Sequence, residues 1–233
     1  MKQLSINQLP QLPFDAAESI NQLRVNLGFC GKEFKTIMIT SSTPDEGKSF
    51  VSMNLWNQMA NMGTRTLIID CDLRNSEMRT RYGIGGQGKL YGIAHYLAGQ
   101  VEMEDIIYET DVSGGFIIPV DMHVANPSIL LEGERFAKLM KYCRENFDYV
   151  LVDTPPLMNV ADSMNIATHC DGTVLVVRSG CTSRRLVENS LQMLQKTSTP
   201  LLGTVLNRVD TSRKTYQYYY KRYYHKYGYY GGK

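Results

Sequence analysis

The stretch that most constrains this chain is residues 36–50, Thr-Ile-Met-Ile-Thr-Ser-Ser-Thr-Pro-Asp-Glu-Gly-Lys-Ser-Phe, an apolar run that breaks into a small-residue turn. Residues 42–49 fit the phosphate-loop pattern G-x-x-x-x-G-K-[ST], with Ser42 standing where the first glycine would be. Residues 36–39 are apolar and β-branched enough for a strand buried in a parallel sheet, and a helix can open at Ser49. In that arrangement backbone N–H groups and the helix N-terminus converge on an anion. Lys48 is then expected to reach the outer phosphates and Ser49 to ligate Mg²⁺.

Two further apolar runs end in carboxylates. Residues 67–74 read Leu-Ile-Ile-Asp-Cys-Asp-Leu-Arg, and residues 150–156 read Val-Leu-Val-Asp-Thr-Pro-Pro. Open parallel sheets gather ligands at the C-terminal ends of their strands, so Asp70, Asp72 and Asp153 are expected to meet the phosphate loop there. An ATP·Mg²⁺ site needs carboxylates for the metal and one that accepts the proton of an attacking hydroxyl. Convergence of the three strand ends, more than any one of them, points to nucleotide binding.

Elsewhere the pattern alternates between the two periods. Helices are expected over 15–29, capped by Asp15, and over 49–62, 160–168 and 183–196, with strands over 66–70, 115–120, 149–153, 173–178 and 201–207. One long helix is expected over 127–147, opened by Asn126 and Pro127. Residues 93–97 and 103–108 read as short helical pieces and 73–92 as loops with at most one short helix. The fold class that follows is α/β, a P-loop NTPase with a mostly parallel sheet flanked by helices on both faces. Residues 1–14, polar and carrying Pro10 and Pro13, read as an arm before a domain over 15–212.

Composition narrows the rest. Among 233 residues, 43% are hydrophobic and the net charge is +2, which fits a globular protein and excludes extended disorder. No apolar stretch approaches the roughly 18 residues of a membrane helix, and the N-terminus lacks a signal-peptide core, so the reading is cytosolic. Five cysteines, Cys30, Cys71, Cys143, Cys170 and Cys181, form no C-x-x-C pair and read as reduced thiols near the core. Residues 213–233 break the globular composition. Nine of the fifteen tyrosines fall there, with six Lys or Arg and no acid. A basic tyrosine-rich segment can also stack on nucleic acid, but the rest of the chain is nearly neutral and holds no binding module, so no nucleic-acid partner is expected.

These motifs resemble the bacterial protein-tyrosine kinases (BY-kinases) of capsule and exopolysaccharide systems. The first motif corresponds to that family's Walker A, the Asp-x-Asp-x-Arg at 70–74 to its A′, and Asp153-Thr-Pro-Pro to its Walker B. The resemblance continues through Asn126-Pro-Ser-Ile-Leu-Leu, Cys170-Asp-Gly, Val176-Val-Arg-Ser-Gly, Gly203-Thr-Val-Leu-Asn and the tyrosine cluster.

The resemblance implies autophosphorylation in trans of a flexible tail, with Tyr216, Tyr218, Tyr219, Tyr220, Tyr223, Tyr224, Tyr227, Tyr229 and Tyr230 as acceptors. It implies ATP/ADP held by Ser42, Asp45, Glu46, Gly47, Lys48, Ser49, Phe50, Arg178 and Asn207, and Mg²⁺ held by Ser49, Asp70 and Asp153. Lys48, Asp70, Asp72 and Asp153 would carry catalysis, with the base left open between Asp70 and Asp72. Arg74 would either neutralise phosphate or pair with an acid. The implied partners are further copies of the chain in a ring, a membrane-anchored activator or adaptor that holds it at the inner face of the membrane, and a cognate tyrosine phosphatase.

Two departures stand out. Asp45 replaces a glycine common inside the loop. The family's E-x-x-R-x-x-R subunit-contact helix is present as Glu18, Asn21 and Arg24, one arginine short. Rival readings are a partitioning-type ATPase, whose signature lysine would stand where Thr43 is, and a nucleotide-binding adaptor without catalysis.

Overall fold

A computed structural model describes residues 2–159 and 161–210. The strands are β1 (Lys2–Ile6), β2 (Thr36–Ser41), β3 (Thr66–Asp70), β4 (Ile84–Gly85), β5 (Tyr108–Thr110), β6 (Gly115–Ile118), β7 (Tyr149–Asp153), β8 (Gly172–Arg178) and β9 (Leu201–Asn207). The helices are α1 (Phe14–Cys30), α2 (Lys48–Asn61), α3 (Met78–Arg81), α4 (Ile93–Leu97), α5 (Ser128–Leu131), α6 (Glu134–Asn146), α7 (Asp162–Ala167) and α8 (Arg184–Leu194). Together the strands form one sheet in the order β4-β1-β5-β6-β3-β7-β2-β8-β9, parallel except at the β1–β4 and β5–β6 pairs.

Strand periodicity splits the core into two layers. Ile37, Ile39, Ile68 and Leu151 face α1 and α2, where they meet Ile20, Leu27, Leu55 and Trp56. Met38, Leu67, Ile69, Val150 and Val152 face the other way, against Phe136, Leu139 and Met140 of α6 and Ile166 of α7. Side chains on successive strand residues point to opposite faces, so a run apolar at every position needs helices on both sides. Trp56 is fully buried, and its indole N–H donates to the carbonyls of Thr66 and Phe116.

The secondary structure departs from the sequence expectations in four places, the first at α1, whose N-cap is Pro13 without a side-chain hydrogen bond while Asp15 lies within the first turn. Residues 2–6 are a sheet strand rather than part of an arm: Leu4 and Ile6 turn into the core, and β1 pairs parallel with β5 and antiparallel with β4. The helix expected over 127–147 is two helices, because Gly133 is extended (φ −76°, ψ 156°) and serves as the N-cap of α6. Asn126 does not cap the first piece, whose N-cap is Pro127. Residues 103–108 make only a 3₁₀ turn over Met103–Asp105 before β5 begins. All five cysteines are free; Cys71 and Cys143 are buried and Cys30 and Cys170 half-buried, but Cys181 is exposed rather than near the core as expected. The tyrosine cluster at 216–230 lies outside the described residues.

Candidate active site

β2, β3 and β7 are adjacent in the sheet, with Asp70 paired in register to Asp153. Their C-terminal ends therefore deliver the phosphate loop and both carboxylates to one edge. Gly47 adopts the left-handed region at φ 92°, and a Cβ there would lie 2.1 Å from the Asn207 amide nitrogen, so glycine is required. Lys48 then opens α2, which points its N-terminus into the cleft.

Around that opening the acids crowd. Lys48 Nζ lies 3.2 Å from Asp72 Oδ2. The Ser49 hydroxyl donates to Asp153 Oδ2 at 2.6 Å, and Ser52 Oγ donates to Asp153 Oδ1 at 2.9 Å. Asp70 accepts from the Asp72 N–H at 3.2 Å and from the Ser76 hydroxyl in a short contact. Burial, with the neighbouring Asp153 and Asp72 charges, pushes Asp70 up to about 8, against the lowering effect of Ser76. Burial also raises Asp153, though Lys48 and the two serines pull it down. Burial lowers Lys48, but Asp153 and Asp72 together outweigh it, so the ammonium is held above its ordinary value.

Asp72 and Asp153 stand beside one lysine, and Asp70, pushed up to about 8, is mostly protonated near neutral pH; a divalent cation would favour its ionised form and complete the charge balance. Among the described residues no three acidic, His or Cys side chains form an all-protein metal cage. A Mg²⁺ ion would fit here by taking Ser49 and a carboxylate from the protein and its other ligands from water and phosphate, as that ion ordinarily does.

The expected residues fall into two groups. Asp45, Gly47, Lys48, Ser49, Asp72 and Asp153 line the cleft. Ser42, Glu46, Phe50, Asp70, Arg178 and Asn207 lie outside its lining: Ser42, Glu46 and Asp70 are buried, and Phe50, in the first turn of α2, is half-buried against the core. Asn207 donates from its amide to the Glu46 carbonyl at 2.8 Å, and Arg178 sits in register beside it on β8. Arg74 is paired with an acid: its guanidinium holds Asp162 at 2.7 and 3.3 Å and reaches the Ala125 carbonyl at 3.0 Å. Glu18 is exposed on α1, while Arg24 donates to Asn21 Oδ1, the residue standing where the resemblance has arginine.

Other residues of the site gave no sequence signal. Arg208 lines the cleft and is held at φ 54°, and Asn75, Ser76, Arg81 and Asn159 line it too. Asp162, fully buried, completes its hydrogen bonding with Ser128 at 2.6 Å. The second proline of Asp-Thr-Pro-Pro was visible in the sequence, but only the cleft shows both Pro155 and Pro156 as a wall.

Residues 34–202 match the family model described as an AAA domain. The tyrosine-protein kinase CpsD of Streptococcus agalactiae is 38% identical over 199 residues, covering 85% of this chain and 86% of the relative. The VpsO kinase domain superposes with a TM-score of 0.77 at 31% identity, over 84% of this chain and 95% of the other. The kinase domain of the Escherichia coli tyrosine kinase ETK gives 0.76 at 29% identity, over 89% and 86%.

Proposed function

From the premise that this chain belongs to the bacterial tyrosine kinases of capsule systems, and is a kinase, we propose that it transfers the γ-phosphoryl group of ATP to tail tyrosines of a neighbouring copy. When bound, Mg²⁺·ATP supplies that group with its charge partly neutralised. Ser49, Asp70 and Asp153 would hold the cation, and Lys48 would bind the outer phosphates.

The observation that carries the reading is the position of Asp72. Of the two A′ aspartates it alone lines the cleft, 3.2 Å from Lys48, whereas Asp70 lies just behind the lining and accepts from the cleft residue Ser76. We assign Asp72 the acceptor's proton, because a phenol with pKa near 10 stays almost wholly protonated at neutral pH. Asp70 then serves the cation. Arg74 ties the A′ loop to Asp162, and the N–H of Asn75 donates to Asp72 Oδ1 at 3.1 Å, so the loop arrives with its carboxylate oriented.

The tail's composition suits the acceptor role: its nine tyrosines stand among six Lys or Arg and no acid, and the cleft offers a transfer the carboxylates of Asp72 and Asp153. Phosphorylating nine tyrosines adds about 1.5 to 2 negative charges each and reverses the sign of the tail. For ring assembly, support comes from α1, which carries Glu18 and Arg24 and leaves Phe14 82% and Phe29 83% exposed at its two ends. The further partners are a membrane-anchored activator and a tyrosine phosphatase, with the chain at the inner face of the membrane through that activator. None of the described helices is long and apolar enough to cross a membrane.

The test is phosphotyrosine mapping by mass spectrometry after incubating the full chain with Mg²⁺ and ATP. Label between Tyr216 and Tyr230 is expected. Phosphate release without label would assign a partitioning-type ATPase, and neither signal would assign a silent adaptor.

A further inference from the structure

The back of the phosphate loop is built around one buried acid. Glu46 is 1% exposed and has no Lys, Arg or His partner among the described ion pairs. One carboxylate oxygen accepts from the backbone N–H of Ser42 at 2.7 Å and of Thr43 at 3.2 Å. Its other oxygen accepts a short contact from the hydroxyl of Thr182, in the turn between β8 and α8. The Glu46 carbonyl accepts from Asn207 at the end of β9, and Ser42 Oγ accepts at 2.8 Å from Ser190 of α8.

An acid placed so deeply without a cation is costly unless its hydrogen bonds are fixed. Here they join the first two residues of the loop to its fifth and tie that residue to Thr182 and Asn207 behind it. Glu46, Thr182, Ser190 and Asn207 all lie outside the cleft lining.

We propose that Glu46 is a positioning residue, a brace through which Thr182 sets the nucleotide affinity of the loop from behind, with Ser190 holding the same loop directly at Ser42. The proposal rests on the nucleotide reading of the cleft. With the brace in place, the N–H groups that face the cleft are already aligned when phosphate arrives. Without it, Ser42 and Thr43 lose their acceptor, and the loop must be ordered at the expense of binding. The geometry also links affinity to the β8–α8 turn: displacement of Thr182 releases one arm of the brace.

The test is calorimetric binding of ADP·Mg²⁺ by the full chain, with thermal unfolding measured in parallel without nucleotide. Glu46→Ala is expected to weaken binding by about tenfold or more, and Thr182→Val by about threefold. Glu46→Gln should come within about threefold of the unmodified chain, because its amide oxygen still accepts from Ser42 and Thr43 and its NH₂ can donate to Thr182. Glu46→Asp, one methylene shorter, should behave like Glu46→Ala. In the kinase assay, Glu46→Ala should raise KM for ATP more than it lowers kcat.

Unchanged affinity in Glu46→Ala, with any loss confined to the melting temperature, would overturn the proposal. So would Glu46→Asp binding as well as Glu46→Gln. If Glu46→Ala does not fold, Thr182→Val decides, and normal affinity there overturns it. Failure of the unmodified chain to bind ADP would remove the nucleotide reading itself and the brace with it.

Discussion

The two sides of the phosphate loop solve opposite problems. Toward the cleft, Lys48 meets Asp72 and Ser49 meets Asp153, within a lining that also carries Asp45 and three arginines, Arg74, Arg81 and Arg208. Toward the interior, Ser42 and Glu46 have partners for each side-chain oxygen. The front holds charged groups of both signs open to the cleft, as a site for a cation and phosphates must, whereas the back is closed and preorganised. The difference explains why the two departures from the glycine pattern are unequal. Ser42 has no left-handed backbone and gains a hydrogen bond by being serine, so the first glycine is dispensable here. Asp45 does take a left-handed conformation, at φ 61°, and brings a carboxylate to the phosphate side.

The largest effect should come from Lys48→Met, which removes the front-side cation paired with Asp72. Tail labelling should fall by at least about two orders of magnitude by phosphotyrosine detection, since the outer phosphates lose their charge partner. Retained labelling would mean that the front does not depend on this charge.

Next is Asp70→Asn. Asp70 titrates near 8 in the folded chain and near the usual carboxylate value when unfolded. Its raised value favours the folded state at low pH, and that contribution is lost as pH rises toward 8. Asparagine mimics the neutral form, so the nucleotide-free variant should be more thermostable than the unmodified chain, and by more at pH 8 than at pH 5. The same variant should lose most of the stabilisation that Mg²⁺·ADP confers. An equal melting shift at both pH values would argue that the front is not electrostatically frustrated.

Two smaller changes separate front from back directly. Ser42→Gly should destabilise by about 1 kcal/mol through loss of the Ser190 hydrogen bond. Asp45→Gly should instead be neutral or stabilising by up to about 1 kcal/mol, and should tighten ADP binding, because strain and repulsion are both relieved. Chemical denaturation and calorimetry check both, and destabilisation by Asp45→Gly would reverse the comparison.

Much of the front was legible because its residues sit at the ends of β2, β3 and β7, continuous apolar runs whose burial fixes where they stop. The α/β class followed from the same runs. Most of the back was not legible. Thr182, Ser190 and Asp162 are single polar residues with no motif spacing, and they meet their partners only through long-range packing. The strand at Lys2–Ile6 was hidden because two alternating apolar residues, Leu4 and Ile6, are too short a pattern without β5 beside them. At Gly133 the periodicity runs on through the break, so the pattern joined α5 to α6 where the backbone does not.

The central claim is transfer between copies onto the tail. Two full-length chains test it when mixed with Mg²⁺ and ATP: Lys48→Met, which keeps its tyrosines, and an otherwise unmodified chain with its nine tail tyrosines changed to Phe. The account predicts phosphotyrosine on the Lys48→Met chain between Tyr216 and Tyr230. An unlabelled Lys48→Met chain, beside an unmodified chain that labels itself, would contradict it.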